Sequence, residues 1–393
     1  MNLLRLGDSL EVLIDHRGKT PKKLGSDFTV TGVPVASAIL VANGSLDLSN
    51  ARCVPEQTWR RWMSVPTRRG DVLLTSEAPL GRVARVPSDA PLVLGQRLYG
   101  LRGKAGVLDS GYLYYALQTE RVQTDLVGRS TGTTVFGIRQ SALRQVMIPA
   151  PDFSEQQAIA EVLGGLDDKI AANANLVATV DDLLASRFAA LVPGSASAAL
   201  SSIADVNVAS AKPTAGGSLR YLDIASVGVG SYDFPEIMGW EEAPGRARRI
   251  IRHGDTVWST VRPNRRSHAL VLDDDPLLIA STGLAVLTPK LGQFAFVYEA
   301  TRTPQFTAYL ESAAEGSAYP AVRADRFLDA PVPDVGVRAR ENFESLAAPL
   351  RRRVLSAAVE SRTLGSMRDA LLPQLMSGRI RVSDAERVLE GVV

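Results

Sequence analysis

Cysteine is nearly absent from this chain: Cys53 stands alone among 393 residues, so no intramolecular disulfide framework is available. Histidine is scarce as well. His16, His253 and His268 are the three, and none has metal-ligand spacing to a cysteine or to a second histidine, so no metal site is expected. No apolar run of about 20 residues occurs. The opening MNLLRLGDSLEVLID sets Asp8, Glu11 and Asp15 among its apolar residues, which is not the core of a signal peptide. A cytoplasmic chain with no membrane partner is the expectation. Catalytic signatures are missing too. There is no G-x-x-x-x-G-K-[ST], no third glycine after Gly228-Val229-Gly230, no G-x-S-x-G, and no [DN]-P-P-aromatic at Asp275-Pro276-Leu277. Pro151-Asp152 lacks the E-x-K that a nuclease centre of that type needs. The chain reads as a non-enzyme.

What is present is a globular composition, 45% hydrophobic and 22% charged, long enough for two or three packed domains. The net charge is only +2, but its distribution is uneven. Seven of the 44 basic residues are lysine, and arginines cluster at Arg60-Arg61, Arg68-Arg69, Arg246 to Arg252, and Arg262 with Arg265-Arg266. Such clusters are either solvated faces or guanidinium donors suited to phosphate and guanine edges.

The sequence repeats one plan. RRGDVLLTSEAPLGRVARV from Arg68 parallels RHGDTVWSTVRPNRRSHALV from Arg252, and GRSTGTTVFGIRQSALRQVMIPAPD, ending at Asp152, parallels ESAAEGSAYPAVRADRFLDAPVPD, ending at Asp334. Asp71 and Asp255 lie 184 residues apart, Asp152 and Asp334 182. After each Pro-Asp boundary the pattern changes to a long stretch nearly free of glycine and proline. The first follows Ser154, a good N-cap, and carries a heptad seam whose apolar members include Ile159, Leu163, Leu166, Ile170, Val177, Val180 and Leu184, with Asn173 and Arg187 interrupting it. Those two polar residues would fix register or face a partner. The second runs from about Arg338 to Ser377 and includes Leu350, Val354, Leu364 and Leu371, with Pro349 and Pro373 expected to kink or divide it. Helices of this length would reach roughly 55–60 Å. Elsewhere, short β-like runs alternate with helical ones, so an α+β class is expected, with Pro193 to Ala198 as a linker.

Three features carry a family resemblance: the Gly70-Asp71 motif with its preceding arginines and following apolar residues, the IPAPD-x-x-EQQ-x-IA run from Ile148 to Ala160, and LLPQLMSGRI from Leu371 to Ile380. Asp15 to Pro21 fits the same pattern. In these the chain resembles the specificity subunits of type I restriction-modification systems.

The resemblance implies two pseudo-symmetric target recognition domains, residues 1–152 and 200–335, joined by two long antiparallel helices, residues 153–193 and 336–380, acting as a coiled-coil spacer. Each domain would read one half of a bipartite, asymmetric double-stranded DNA target. Two methyltransferase subunits that bind S-adenosylmethionine, and restriction/translocase subunits that use ATP and Mg, would supply the chemistry; this chain would bind no cofactor.

Candidate DNA contacts are Lys19, Ser76, Arg82, Arg129, Thr131, Thr133, Thr134 and Arg139 in the first half, and Thr260, Arg262, Arg265, Arg266, Tyr319 and Arg323 in the second. Ser130, Ser317, Lys22 and Lys23 are secondary ones. The second half departs from the family pattern: Arg340-Glu341-Asn342 stands where the first has its EQQ run. The rival reading is a non-catalytic, duplicated protein-interaction scaffold whose arginines are merely solvated, which predicts no salt-dependent DNA affinity.

Overall fold

The computed structural model describes residues 2–42, 44–316 and 319–390. It divides into two compact units, Met1–Ile170 with Arg362–Val393, and Ala171–Ser361. The class is α+β.

The first unit is built on an antiparallel four-stranded sheet in the order Leu10–Asp15, Leu98–Gly103, Val72–Thr75, Val83–Arg85. Its two central strands are buried along their whole length. That is why VLLT and LYGLRG are dominated by apolar and small residues, the one charge, Arg102, being paired with the buried Asp71, whereas the edge strand Leu10–Asp15 mixes polar and apolar positions. Asn2–Arg5 pairs with Met147–Ala150. The second unit repeats the plan: Ala204–Val206, Leu284–Pro289, Thr256–Ser259, His268–Leu270 in the same order and sense, with Ala196–Ala199 paired to Pro331–Asp334. The expected linker therefore runs directly into a strand. Two short helices stand at matching places in each unit, Ser110–Ala116 and Glu120–Gly128, then Phe294–Ala300 and Pro304–Ser312.

Two long helices follow the globular parts: α1, Phe153–Leu191, of 39 residues, and α2, Val337–Ser377, of 41. Asp152, rather than Ser154, caps α1: its Oδ1 accepts the Glu155 N–H at 3.0 Å and the Ser154 hydroxyl at 2.9 Å. α2 is continuous through Pro349 and Pro373, so neither divides it. Each proline removes one backbone donor at a cost of about 3 kcal/mol. Burial of Phe343, Ala347, Ala348, Leu371 and Leu375 around them favours the unbroken helix.

In the first unit Ile159, Leu163 and Leu166 are buried and Ile170 half-buried, in one core with Leu364 and Leu371 of α2. In the second, Val180 and Leu184 are buried in a core against which the half-buried Leu176, Leu350 and Val354 pack, so that Leu176 rather than the expected Val177 joins it. The interruptions behave differently. Asn173 is buried, and its Nδ2 donates to Glu360 Oε2 at 2.8 Å and Ser361 Oγ at 3.2 Å. Arg187 is exposed, and Phe188 takes the inward place against Phe296 and Phe343.

Candidate nucleic-acid interface

In each unit the loop after the inner strand of the sheet is laced to the loop that precedes the long helix. In the first unit the Ile138 N–H donates to Ser76 O at 3.0 Å, the Ser76 N–H donates to Arg97 O at 2.9 Å, and Thr131 and Gly137 exchange reciprocal bonds of 2.8 and 2.9 Å. In the second unit the Val322 N–H donates to Thr260 O at 2.8 Å, the Thr260 N–H to Gly283 O at 2.9 Å, and Glu315 and Ala321 exchange two bonds of 2.9 Å. These four bonds recur in the same order, with bridges Glu77–Gly137 and Val261–Ala321 in register, and the second unit adds a bond from the Arg262 N–H to Pro320 O at 2.7 Å. Gly132 makes the first hairpin feasible: its φ is +118°, and a Cβ there would meet Val135 O at 2.1 Å.

The candidates fall into three groups. Ser76 and Thr260 lie inside the junctions, 1% and 8% exposed, so their side chains are not presented to a ligand. Several cations are exposed or half-exposed but tied. Lys19 Nζ donates to Trp62 O at 2.8 Å and Arg82 Nη1 to Val41 O at 3.3 Å. Arg129 is ion-paired with Asp125 at 2.7 Å, Arg266 Nη2 donates to Arg302 O at 2.8 Å, and Arg323 pairs with Asp325 at 3.3 Å. The third group faces solvent at the tips. Thr131, Thr133, Thr134 and Arg139 are exposed in the first unit, with Arg265 and Tyr319 in the second, where Arg262 stacks on the Tyr319 ring at 4.6 Å. Ser317 lies outside the described residues. Arg139 and Arg323 occupy the same place, each immediately before a short helix.

Sequence reasoning missed Val135 and Phe136, 54% and 50% exposed at the first hairpin tip, where apolar groups can meet a thymine methyl. It also missed Arg97, whose neighbours become apparent only when the loops are brought together. The overall supply is hydroxyls, guanidiniums and a few apolar groups on two matched platforms, which suits a polyanion with readable edges. Among the described residues, no three His, Cys, Asp or Glu side chains gather as a metal site, and no helix is long and apolar enough to cross a membrane.

The Gly-Asp motifs are structural. Gly70 and Gly254 have φ of +86° and +88°, and the following carboxylates accept the Arg68 and Arg252 N–H groups at 2.9 and 2.8 Å. Asp71 also takes a bidentate pair from Arg102, at 2.7 and 2.8 Å. Asp255 has no such arginine, and burial pushes its carboxyl up. Gln156 of the EQQ run is also turned inward, accepting the Asp109 N–H at 3.0 Å and donating to Val107 O at 3.1 Å, while Glu155 and Gln157 are exposed.

Comparison with known proteins gives a consistent picture. Residues 2–181 match a family model described as a type I restriction modification DNA specificity domain. The type I restriction enzyme MjaIX specificity subunit of Methanocaldococcus jannaschii is 41% identical over 102 residues, 26% of this chain and 23% of that protein. The MjaVIII specificity subunit of the same organism is 27% identical over 150 residues, 37% of this chain and 35% of that one. These matches therefore span well under two thirds of either relative. The S subunit of a type I restriction-modification system from M. genitalium shares the fold, with a TM-score of 0.61 at 17% identity over 95% of both chains.

Proposed function

We propose that this chain, whose residues 2–181 match the type I restriction modification DNA specificity domain, is a specificity subunit of such a system and reads a bipartite, asymmetric double-stranded DNA sequence, one half-site per unit. It is non-catalytic: partner methyltransferase subunits carrying S-adenosylmethionine place N6-methyl groups on adenine, and restriction/translocase subunits using ATP and Mg cut unmethylated DNA. Residues 1–152 and 200–335 act as the two recognition domains. The helical segments 153–193 and 336–380 act as the spacer that fixes the number of unread base pairs, and the system works in the cytoplasm.

The observation that carries this reading is the duplicated lacing, Ser76 to Ile138 and Thr260 to Val322, on which two unlike sets of side chains are displayed. A protein that reads two different half-sites needs one frame with two faces. The test is single-molecule methylation sequencing of DNA from cells expressing the chain with a partner adenine methyltransferase subunit, against the methyltransferase alone. A new N6-methyladenine motif with two halves and a fixed gap is expected. An assembled complex that yields no new motif would leave the chain a protein-interaction scaffold.

A first mutational expectation concerns Arg265, exposed and carrying no tie such as Arg266 has. Arg265→Ala is expected to weaken binding by about 1–3 kcal/mol if it contacts a base, with loss confined to one half-site. Competition binding on oligonucleotides altered in one half at a time checks this. Equal loss at both halves contradicts it.

A further inference from the structure

The two units agree in their backbone lacing and disagree in the side chains placed on it. Where the first unit has Glu77 bridging Gly137, the second has Val261 bridging Ala321. Where the first offers the carbonyl of Arg97 to the junction, the second offers that of Gly283. The first unit therefore owns a charged pair, Arg97 Nε to Glu77 Oε1 at 3.2 Å, for which the second has no counterpart at the same places.

Three properties distinguish that pair. It lies at solvent, with the Arg97 and Glu77 side chains 52% and 45% exposed, so water already screens it and a better partner can replace it. Arg97 also has a φ of +65°, a backbone conformation an arginine adopts at a cost. Such a conformation persists where the surroundings impose it, here through the Ser76 N–H bond to Arg97 O and the strand that starts at Leu98. Finally, Arg97 borders a cleft of about 710 Å³ whose rim carries Lys19, Arg52 and Arg82 and whose lining contains no carboxylate. Two of those other cations are held by backbone carbonyls, and Arg52 lies over the Phe28 ring at 3.8 Å. Arg97 is instead held by a carboxylate that is itself an acceptor suited to a base edge.

On the reading that this unit binds DNA, we propose that Arg97 and Glu77 together recognise one G·C base pair. The guanidinium donates to O6 and N7 of guanine, and the carboxylate accepts from N4 of its paired cytosine. The two charges are neighbours before binding, as the two base edges are neighbours in the major groove. Lys19, Arg52 and Arg82 meet the phosphates on either side, contributing affinity without sequence preference. The second unit, with Val261 and Gly283 at these places, reads no base pair this way and relies on the Arg262–Tyr319 stack and its neighbours.

The experiment uses the full chain assembled with methyltransferase subunits and compares methylation motifs for the wild type, Arg97→Ala and Glu77→Gln. The wild-type motif is expected to contain a G·C pair in one half-site. In Arg97→Ala that position becomes degenerate, with discrimination there reduced on the order of 10- to 100-fold, while the other half-site and the gap are unchanged. Glu77→Gln relaxes the same position by a smaller factor. An unchanged motif in Arg97→Ala overturns the proposal. So does a uniform fall in methylation at every position, which would make Arg97 a phosphate contact, and so does complete loss in both variants while the complex assembles. A wild-type chain that produces no bipartite motif overturns the DNA-specificity reading itself, an outcome distinct from these.

Discussion

Arg351→Met is expected to destabilise the second unit by about 3–5 kcal/mol, because it strips the counter-charge from Glu299, which water does not reach, and from Asp181, which is only part-exposed. Arg351 on α2 is 5% exposed at its side chain and bonds Asp181 of α1 at 2.9 Å through Nη1 and Glu299 through Nη2. Glu299 is 3% exposed, and burial already pushes its carboxyl up against the pull of Arg302 and Arg351. Asp181 is balanced the other way: burial raises it, but Arg302 at 2.6 Å and Arg351 outweigh burial and hold it below its usual value. Removing Arg351 leaves Arg302 to serve both carboxylates. Hydrogen exchange of second-unit amides against denaturant, with first-unit amides as internal reference, measures the loss. The double variant Arg351→Met with Glu299→Gln should recover part of it, since the neutral amide needs no cation. A loss below about 1 kcal/mol in the single variant would mean that the cluster behaves as a surface pair.

The corresponding group of the first unit, Asp167 with Arg368 at 2.8 Å, Arg85 at 3.4 Å and the Tyr115 hydroxyl at 2.6 Å, joins the same three kinds of element: α1, α2 and the globular part. None of these ties was legible in the sequence. A heptad seam exposes its apolar members through spacing, whereas Asp167 and Asp181 lie outside the spacing and look like solvated charges. The seam itself was legible only while its phase held. A helix of 3.6 residues per turn drifts from a 3.5 repeat, and by residue 188 the inward position has moved one place, from Arg187 to Phe188.

The duplication was readable because each motif has a reason to recur. Gly70 and Gly254 are needed for their positive φ, and the apolar runs after them are the inner strands of two sheets. Which polar residues reach a ligand was not readable. Ser76 and Thr260 follow a strand as Arg82 and Arg262 do, but their side chains are buried within the loop junction that their backbone groups close. Arg97 has no local signal at all. It becomes notable only because Glu77, twenty residues earlier in the chain, sits across from it.

His268 gives the second large expected effect, one that links stability to pH. It is 1% exposed, stacks on Trp258 at 4.7 Å and 13°, and its Nδ1–H donates to Arg266 O at 2.6 Å. Its buried Nε2 meets no hydrogen-bond partner among the described residues. Protonating Nε2 would bury an unpaired N–H beside Arg266 and Arg302. Burial, with those two arginines adding to it against the opposing pull of Arg266 O and Asp181, pushes the imidazole pKa down from 6.5 to about 4. The unfolded chain takes up its proton near pH 6.5 and the folded chain only near 4, so folding stability falls as pH drops between those values. The slope approaches 1.4 kcal/mol per pH unit and the total is about 3 kcal/mol. Asp255, Glu299 and Glu344, each pushed up by burial, contribute with the opposite sign at the acid end. The informative quantity is therefore the wild-type stability minus that of His268→Gln, followed from pH 7 to 4.5. That difference should shrink steadily below pH 6.5, and a difference that stays constant would show that His268 titrates normally.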